Sequence, residues 1–228
     1  MRSYLVRSLI LGALSVATLA GCSGQRPLHR IKADAEHHLK YGRFEEAQAD
    51  YEIYLAQRPD AAQTRYELAQ AYMATNQPRK AIRELQICTD VYPLNDDYLD
   101  LQANAMYQAG DRDALVTLLT RQTSERQRPS DYLRLGTYQG FLGNADEAEQ
   151  ALLTAAKLDG GQSLKYQRAL VDFYKGIGDT AKYVERLRYC YYLAPLDPAI
   201  NEAIRAAGEI PGPTFGRAPV EMRAGSVR

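Results

Sequence analysis

Tryptophan is absent from this sequence, and histidine and cysteine occur only three times each. Two of the histidines, His37 and His38, are adjacent on a predicted helix. They point about 100° apart and cannot bind one metal ion as an i, i+4 pair can, so with His29 they are interpreted as solvated or partly buried side chains. Neither a phosphate-binding glycine loop nor a nucleophile elbow occurs. We therefore expect no catalytic residue, no metal site and no cofactor.

An excess of charge of either sign is also missing, because 28 lysines and arginines balance 28 aspartates and glutamates. A nucleic-acid-binding protein normally shows a basic excess or a basic stripe. We therefore expect no nucleic-acid partner. Tyrosine, in contrast, is abundant: 17 tyrosines stand against four phenylalanines, and tyrosine suits half-buried helical surfaces as well as interfaces.

The longest apolar run lies near the start of the chain and is too short to span a membrane. Residues 9–20 are apolar or small apart from Ser15 and Thr18. Twelve helical residues reach only about 18 Å, against a bilayer core of about 30 Å. Because Arg2 and Arg7 precede the run, the pattern predicts a secretory signal peptide. The alternative, a short buried helix of the mature domain, is disfavoured because the run shows no polar face of helical period.

The run ends in Leu19, Ala20, Gly21 and Cys22, and these four residues resemble the lipobox of bacterial lipoproteins. The resemblance implies cleavage between Gly21 and Cys22, and diacylation of Cys22, which becomes the mature N-terminus. The acyl chains, palmitate among them, would hold the protein on a membrane. An ordinary signal peptide followed by an incidental cysteine is the alternative.

By the same resemblance, residues 1–21 are the signal peptide and residues 22–27 a short linker after the lipidated Cys22. The protein is then extracytoplasmic and lipid-anchored. In lipoproteins of two-membrane bacteria an aspartate after the cysteine favours retention in the inner membrane. Ser23 occupies that position here, so we expect the outer membrane, facing the periplasm, if the organism has two membranes.

Turn-forming residues recur along the rest of the chain at spacings of 34, 34, 33 and 35 residues. Each tolerates the positive φ that a tight turn between two helices demands. Small residues mostly occur seven positions before and five positions after each turn, where they let two helices approach closely. The turn residues are Gly42, Asn76, Gly110, Gly143 and Gly178.

This pattern resembles the tetratricopeptide repeat, a helix–turn–helix unit of 34 residues. The stretch with Tyr132, Gly136, Ala148 and Leu152 matches the family positions best, whereas Leu115, Val171 and Tyr183 stand where small residues are expected. The resemblance implies an all-α fold: a right-handed α-solenoid of about five repeats with a C-terminal capping helix.

We assign the repeat array to residues 28–207 and expect the chain beyond it to be a disordered tail, residues 208–228, because that segment is rich in glycine and proline without periodicity. Cys88 and Cys190 occupy the same position in two repeats that are three steps apart, so they are predicted to be buried free thiols. The repeats are 28–61, 62–95, 96–128, 129–162 and 163–197, followed by the cap at 198–207.

In the family that the repeats resemble, the first helix of each repeat lines a concave groove. The resemblance implies a protein or peptide partner for this groove, whose centre is polar and aromatic and whose C-terminal end is basic. That pattern suits an extended or helical peptide with an acidic end, although a merely solvated inner wall is the alternative. The residues carried over are Lys32, Glu36, Lys40, Tyr66, Gln70, Met73, Asp100, Asn104, Tyr107, Leu133, Thr137, Phe141, Lys165, Arg168, Asp172 and Lys175.

The sequence as a whole favours a non-catalytic, membrane-anchored scaffold in the assembly of a bacterial cell-envelope complex. It is similar to the repeat lipoproteins of pilus or secretin assembly and, more weakly, to those of outer-membrane protein insertion. One alternative is an adaptor or regulator of envelope enzymes, such as peptidoglycan hydrolases or proteases. Another is an enzyme whose site is not recognised. The two-carboxylate clamp of some repeat proteins is not reproduced, because Glu36 follows Lys32 where asparagine is needed.

Overall fold

A computed structural model describes residues 26–224 of the chain. Within these residues there are twelve helices and no strand, so the predicted all-α fold is confirmed. The described residues divide into two compact units, on either side of the boundary between Asp60 and Ala61. The predicted signal peptide and the lipidation site Cys22 lie outside the described residues.

The first unit is one helical hairpin, formed by α1 (Leu28–Lys40) and α2 (Phe44–Gln57). Ala35 and Ala47, from opposite helices, are fully buried. Arg26, in the predicted linker, forms ion pairs with Asp34 at 3.1 Å and with the buried Asp50. These charges attach the start of the described chain to the hairpin.

The second unit contains four further hairpins, a cap helix and a short terminal helix. Its helices are α3 (Ala62–Ala74), α4 (Pro78–Val91), α5 (Asp96–Ala109), α6 (Arg112–Arg126), α7 (Pro129–Phe141), α8 (Ala145–Leu158), α9 (Leu164–Ile177), α10 (Thr180–Leu193), α11 (Pro198–Ala206) and α12 (Val220–Ala224). The odd-numbered helices from α3 to α9 are the first helices of the hairpins.

All five predicted turn residues adopt a positive φ, as the repeat pattern requires. The only one with a side chain, Asn76, has φ 57°, and the four glycines lie between 74° and 86°. Gly136 allows the two helices of its hairpin to pack closely. A Cβ added at this position would lie 2.7 Å from Cγ of Leu152. Helices α7 and α8 can therefore approach closely only with glycine at this position.

The cap helix α11 begins where the sequence indicates. The side chain of Asp197 accepts hydrogen bonds from the backbone N–H groups of Ala199, at 2.9 Å, and Ile200. These contacts satisfy two of the free donors at the helix start. Ile200 and Ile204 are buried, so α11 covers the apolar end of the last hairpin.

The chain after the cap differs from the prediction of a disordered tail. Residues 208–224 fold back over the last hairpin, and the structure places Phe215 among the buried residues. Its ring packs edge-to-face on Tyr191, with centroids 6.0 Å apart, and the Arg188 guanidinium lies 5.4 Å from it. This aromatic anchor holds part of a segment whose composition alone indicates disorder.

A buried ion pair holds the far end of this segment. Nη1 of Arg186 on α10 donates to Oε1 of Glu221 at 2.6 Å, and both side chains are less than a tenth exposed. The same Arg186 nitrogen donates to Gln167 of α9 at 3.0 Å. Glycine at position 161 makes room for the segment, since an added Cβ would lie 2.8 Å from Cβ of Pro219. Periodicity could not show these contacts because each is made once.

We expect Phe215→Ala to release this C-terminal segment, because the variant removes its one buried aromatic ring. Trypsin should then cleave after Arg217 several-fold faster than in the wild type, as followed by mass spectrometry. Ile210→Ala is the matched control, since Ile210 is 85% exposed in the same segment. Equal cleavage rates in the wild type and Phe215→Ala would mean that the ring does not hold the segment.

Candidate functional site

In the first unit, the predicted groove residues Lys32 and Glu36 neutralise each other. Nζ of Lys32 lies 3.4 Å from Oε1 of Glu36 and 6.0 Å from the ring centroid of Tyr54. These three side chains line a shallow cleft of the hairpin. Lys40 is exposed, with its ammonium 5.9 Å from the ring of Tyr41. This unit offers a small polar surface.

In the second unit, the first helices α3, α5, α7 and α9 carry three adjoining clefts, which we call the first-helix surface. The clefts share residues, so the surface is continuous: Thr137, Tyr138, Phe141 and Asp100 each line two of them. The predicted residues that line these clefts are Tyr66, Asp100, Asn104, Leu133, Thr137, Phe141, Lys165 and Asp172.

An aromatic cluster forms the centre of the first-helix surface. The rings of Tyr107, Tyr138 and Phe141 contact one another with centroids 5.6 to 5.7 Å apart. Phe141 is 60% exposed, so the cluster presents apolar area to solvent. Burial, and then the charge of Asp100, raises the pKa of Tyr138 to about 12, so this phenol stays neutral.

Sequence reasoning missed Tyr138, which is adjacent to the predicted Thr137. The family positions identify the helix face that points outward, whereas Tyr138 lies half-buried between that face and the core. The half-buried Phe173 was missed for the same reason, whereas the exposed Asp97 lies outside the positions carried over from the family. The sequence signal that could have identified Tyr138 is its position directly after Thr137, which the family positions already assign to the surface.

A charge network fixes α5 against α7 beside these rings. Arg134 on α7 is almost fully buried and donates to three carboxylates: Asp100 at 2.6 Å, Asp131 at 3.0 Å and Asp96 at 3.2 Å. Arg128 also donates to Asp131, at 2.7 Å, and to Asp96, at 3.0 Å. Burial opposes ionisation of Asp96, but the two arginine charges outweigh it and lower the pKa of this carboxyl.

The C-terminal end of the predicted groove carries less free positive charge than the sequence indicates. Arg168 forms an ion pair with Asp197, the residue that caps α11, so its charge is engaged in holding the cap. Lys165 is exposed and lines a cleft with Asp100. The predicted residues of this unit that line none of the three clefts are Gln70, Met73, Tyr107, Arg168 and Lys175.

The two cysteines of the described chain are free and buried. Burial raises the pKa of Cys88 to about 11 and that of Cys190 to about 12, so both remain protonated thiols at neutral pH. Sγ of Cys88 donates to the carbonyl of Ala62 at 3.3 Å. Such thiols act as small core residues, because a reactive cysteine needs thiolate character and access.

Two further features concern only residues 26–224. No cluster of three or more histidine, cysteine, aspartate or glutamate side chains in this part of the chain is arranged to hold a metal ion. None of its helices combines the length and the apolar character needed to cross a bilayer.

Comparison with known proteins assigns the fold to the tetratricopeptide-repeat class. Residues 38–105 match the family model of the tetratricopeptide repeat. No curated protein matches the sequence.

Three crystal structures illustrate the likeness. TTC0263, a thermophilic repeat protein of Thermus thermophilus, is 17% identical with a TM-score of 0.56, over 79% of this chain and 98% of its own. A tetratricopeptide repeat protein of Parabacteroides merdae is 12% identical with a TM-score of 0.58, over 79% and 72%. MamA is 17% identical with a TM-score of 0.54, over 78% and 94%. At these identities the likeness establishes the shared fold.

Proposed function

We propose that this protein is a non-catalytic scaffold that binds a segment of a partner protein on the first-helix surface. The continuity of the three clefts around the cluster of Tyr107, Tyr138 and Phe141, in which Phe141 is exposed, is the observation that carries this proposal. Aromatic residues supply large contact area and hydrogen-bonding tips at interfaces, and repeat arrays use such extended faces for binding.

We further propose that Cys22 carries the lipid anchor and that the scaffold serves the assembly of a bacterial cell-envelope complex, of the pilus, secretin or outer-membrane biogenesis type. The support is the lipobox with its preceding charged and apolar segments. The protein is then extracytoplasmic, and in an organism with two membranes it lies on the outer membrane facing the periplasm.

A non-catalytic role agrees with the chemistry of the described side chains. The buried ionisable groups are engaged in structural pairs, as with Arg134 and Asp131 or Arg186 and Glu221. The phenols and thiols whose pKa values move are shifted upward by burial, which favours their neutral forms and lowers their reactivity.

Site-specific photocrosslinking in intact cells tests the binding surface. We expect benzoylphenylalanine at position 141 to form adducts with one or a few envelope proteins, and Tyr107→Ala to reduce their yield several-fold. The matched control places the same crosslinker at Tyr192, which is 52% exposed at the end of the second helix α10. Identical adducts from both positions, or none from position 141, would exclude the proposed surface.

A further inference from the structure

An open gap separates the first helices α7 and α9 of the last two hairpins. Its volume is about 530 Å³. Leu152, Phe173 and the half-exposed Phe141 and Ile177 give it a largely apolar lining. Since a cavity of about 150 Å³ accommodates benzene, the gap has room for one aromatic side chain and part of its backbone.

Two glycines that the fold does not require keep this gap open. At Gly176 an added Cβ would meet nothing within 4 Å, and at Gly140 its nearest neighbours would lie at an ordinary 3.8 Å. Both residues lie within helices, and neither has a positive φ. Gly136 differs, because packing against Leu152 demands it. Glycine is less favourable than alanine in a helix, so the open volume points to a role outside packing.

Asp172 is the one charged side chain among the described residues that lines the gap. It is exposed and forms no ion pair in this part of the chain. Farther along the first-helix surface, Asp97 lines the cleft that also contains Tyr66 and forms no ion pair among the described residues, whereas Asp100 in the same cleft is neutralised by Arg134. Carboxylates beside aromatic faces favour a cationic group, through both ion pairing and cation–π contact. Lys165 is the one exposed cation that lines these clefts.

We propose that the gap is a socket for one bulky apolar side chain, aromatic or leucine, of a partner peptide that carries lysine or arginine beside this residue. The basic group meets Asp172, and the chain continues toward Asp97. This inference rests on the proposed peptide-binding function and specifies its ligand. It replaces the acidic-ended peptide expected from the sequence, because Arg168 is neutralised by Asp197, whereas Asp97 and Asp172 line the clefts without an ion pair among the described residues.

Selection from a phage-displayed library of random peptides on the immobilised full-length protein tests this proposal. Enriched peptides are then synthesised with a fluorescent label, and their dissociation constants are measured by anisotropy. Gly176→Leu fills the socket from α9 and Gly140→Met fills it from α7. Gly176→Ala is the matched control at the same position, and circular dichroism compares the helix content of every variant.

We expect the enriched peptides to combine a large apolar residue with an adjacent lysine or arginine. Gly176→Leu and Gly140→Met should each weaken binding at least about tenfold, whereas Gly176→Ala should change it less than about twofold. Asp172→Asn should weaken the binding of the basic peptide and leave that of its lysine-to-glutamine version unchanged.

The outcomes separate this inference from the function on which it rests. Acidic or wholly polar enriched peptides, or binding that both socket-filling variants leave intact, would overturn the socket. If Tyr107→Ala weakened binding in that case, peptide binding by the first-helix surface would still stand. If the wild type enriched no peptide at all, both the socket and the peptide-binding function would be rejected.

Discussion

Replacing Arg134 with methionine is expected to lower the free energy of unfolding by about 3 kcal/mol. Methionine retains much of the apolar stem but removes the cation that donates to Asp96, Asp100 and Asp131. The side chain of Asp131 is 0% exposed, so its carboxylate would stay in the interior with Arg128 as its remaining partner. Removing one cation from a buried network is costly, because Asp131 then keeps only one of its two cationic partners.

Urea denaturation followed by circular dichroism measures this change. Arg121→Met is the control, since Arg121 is exposed on α6, and it should stay within about 0.5 kcal/mol of the wild type. Adding Asp131→Asn to Arg134→Met should recover part of the loss, because the buried charge is then removed as well. A loss below about 1 kcal/mol for Arg134→Met would show that water reaches the network and compensates Asp131.

The same network makes the stability of the folded protein depend on pH in the acid range. The pKa of Asp96 is lowered in the folded state from its ordinary value of 3.8. A group with a lowered folded pKa contributes stability above its unfolded pKa and loses it as the pH falls through the folded value. The contribution of Asp96 should thus be complete at neutral pH and decline only below about pH 4. In Arg134→Met, where one of its two cations is missing, this decline should be smaller.

Changing Cys22 to alanine is expected to abolish lipid attachment completely. Under the proposed anchor, acylation begins with the diacylglyceryl group on this thiol, so its removal should leave no point of attachment. Cells grown with labelled palmitate should incorporate it into the wild type and not into Cys22→Ala. The variant should also move from the membrane fraction to the soluble fraction or stay as an uncleaved precursor.

Ser23→Ala is the matched control for Cys22→Ala, because it changes the neighbouring residue and leaves the attachment point intact. It should keep its label and its membrane fraction. Palmitate retained by Cys22→Ala would refute the anchor, while the binding proposed for the first-helix surface would remain a separate question. A wild type without label would likewise exclude the anchor.

The hairpin array was predictable because its causes are local and repeated. A positive φ at Asn76 and close packing at Gly136 each follow from one residue in a fixed place of a 34-residue unit. The exposed face of each first helix follows from the same register. Tyr66, Asn104 and Phe141, assigned to one surface from sequence, do line one cleft.

The remaining features depend on contacts that occur once. The network of Arg134 joins acids from two different hairpins, and no period along the chain marks it. Phe215 and Glu221 lie in a segment whose glycines and prolines indicate disorder, and their partners Tyr191 and Arg186 lie on α10. The socket exists because Gly140 on α7 and Gly176 on α9 carry no side chain, and these two helices become neighbours only in the folded protein. Such features can be identified only from the three-dimensional structure.

The returning C-terminal segment changes how the end of the array unfolds. Stacked repeats contact only their neighbours, so an array normally frays from its last unit inward. Here Gln167 and Glu221, 54 residues apart in the chain, contact each other, and Arg186 binds both. The last hairpin cannot open before this long-range closure is released. Its amide protons, those of the cap helix and those of the segment should exchange with solvent as one cooperative unit.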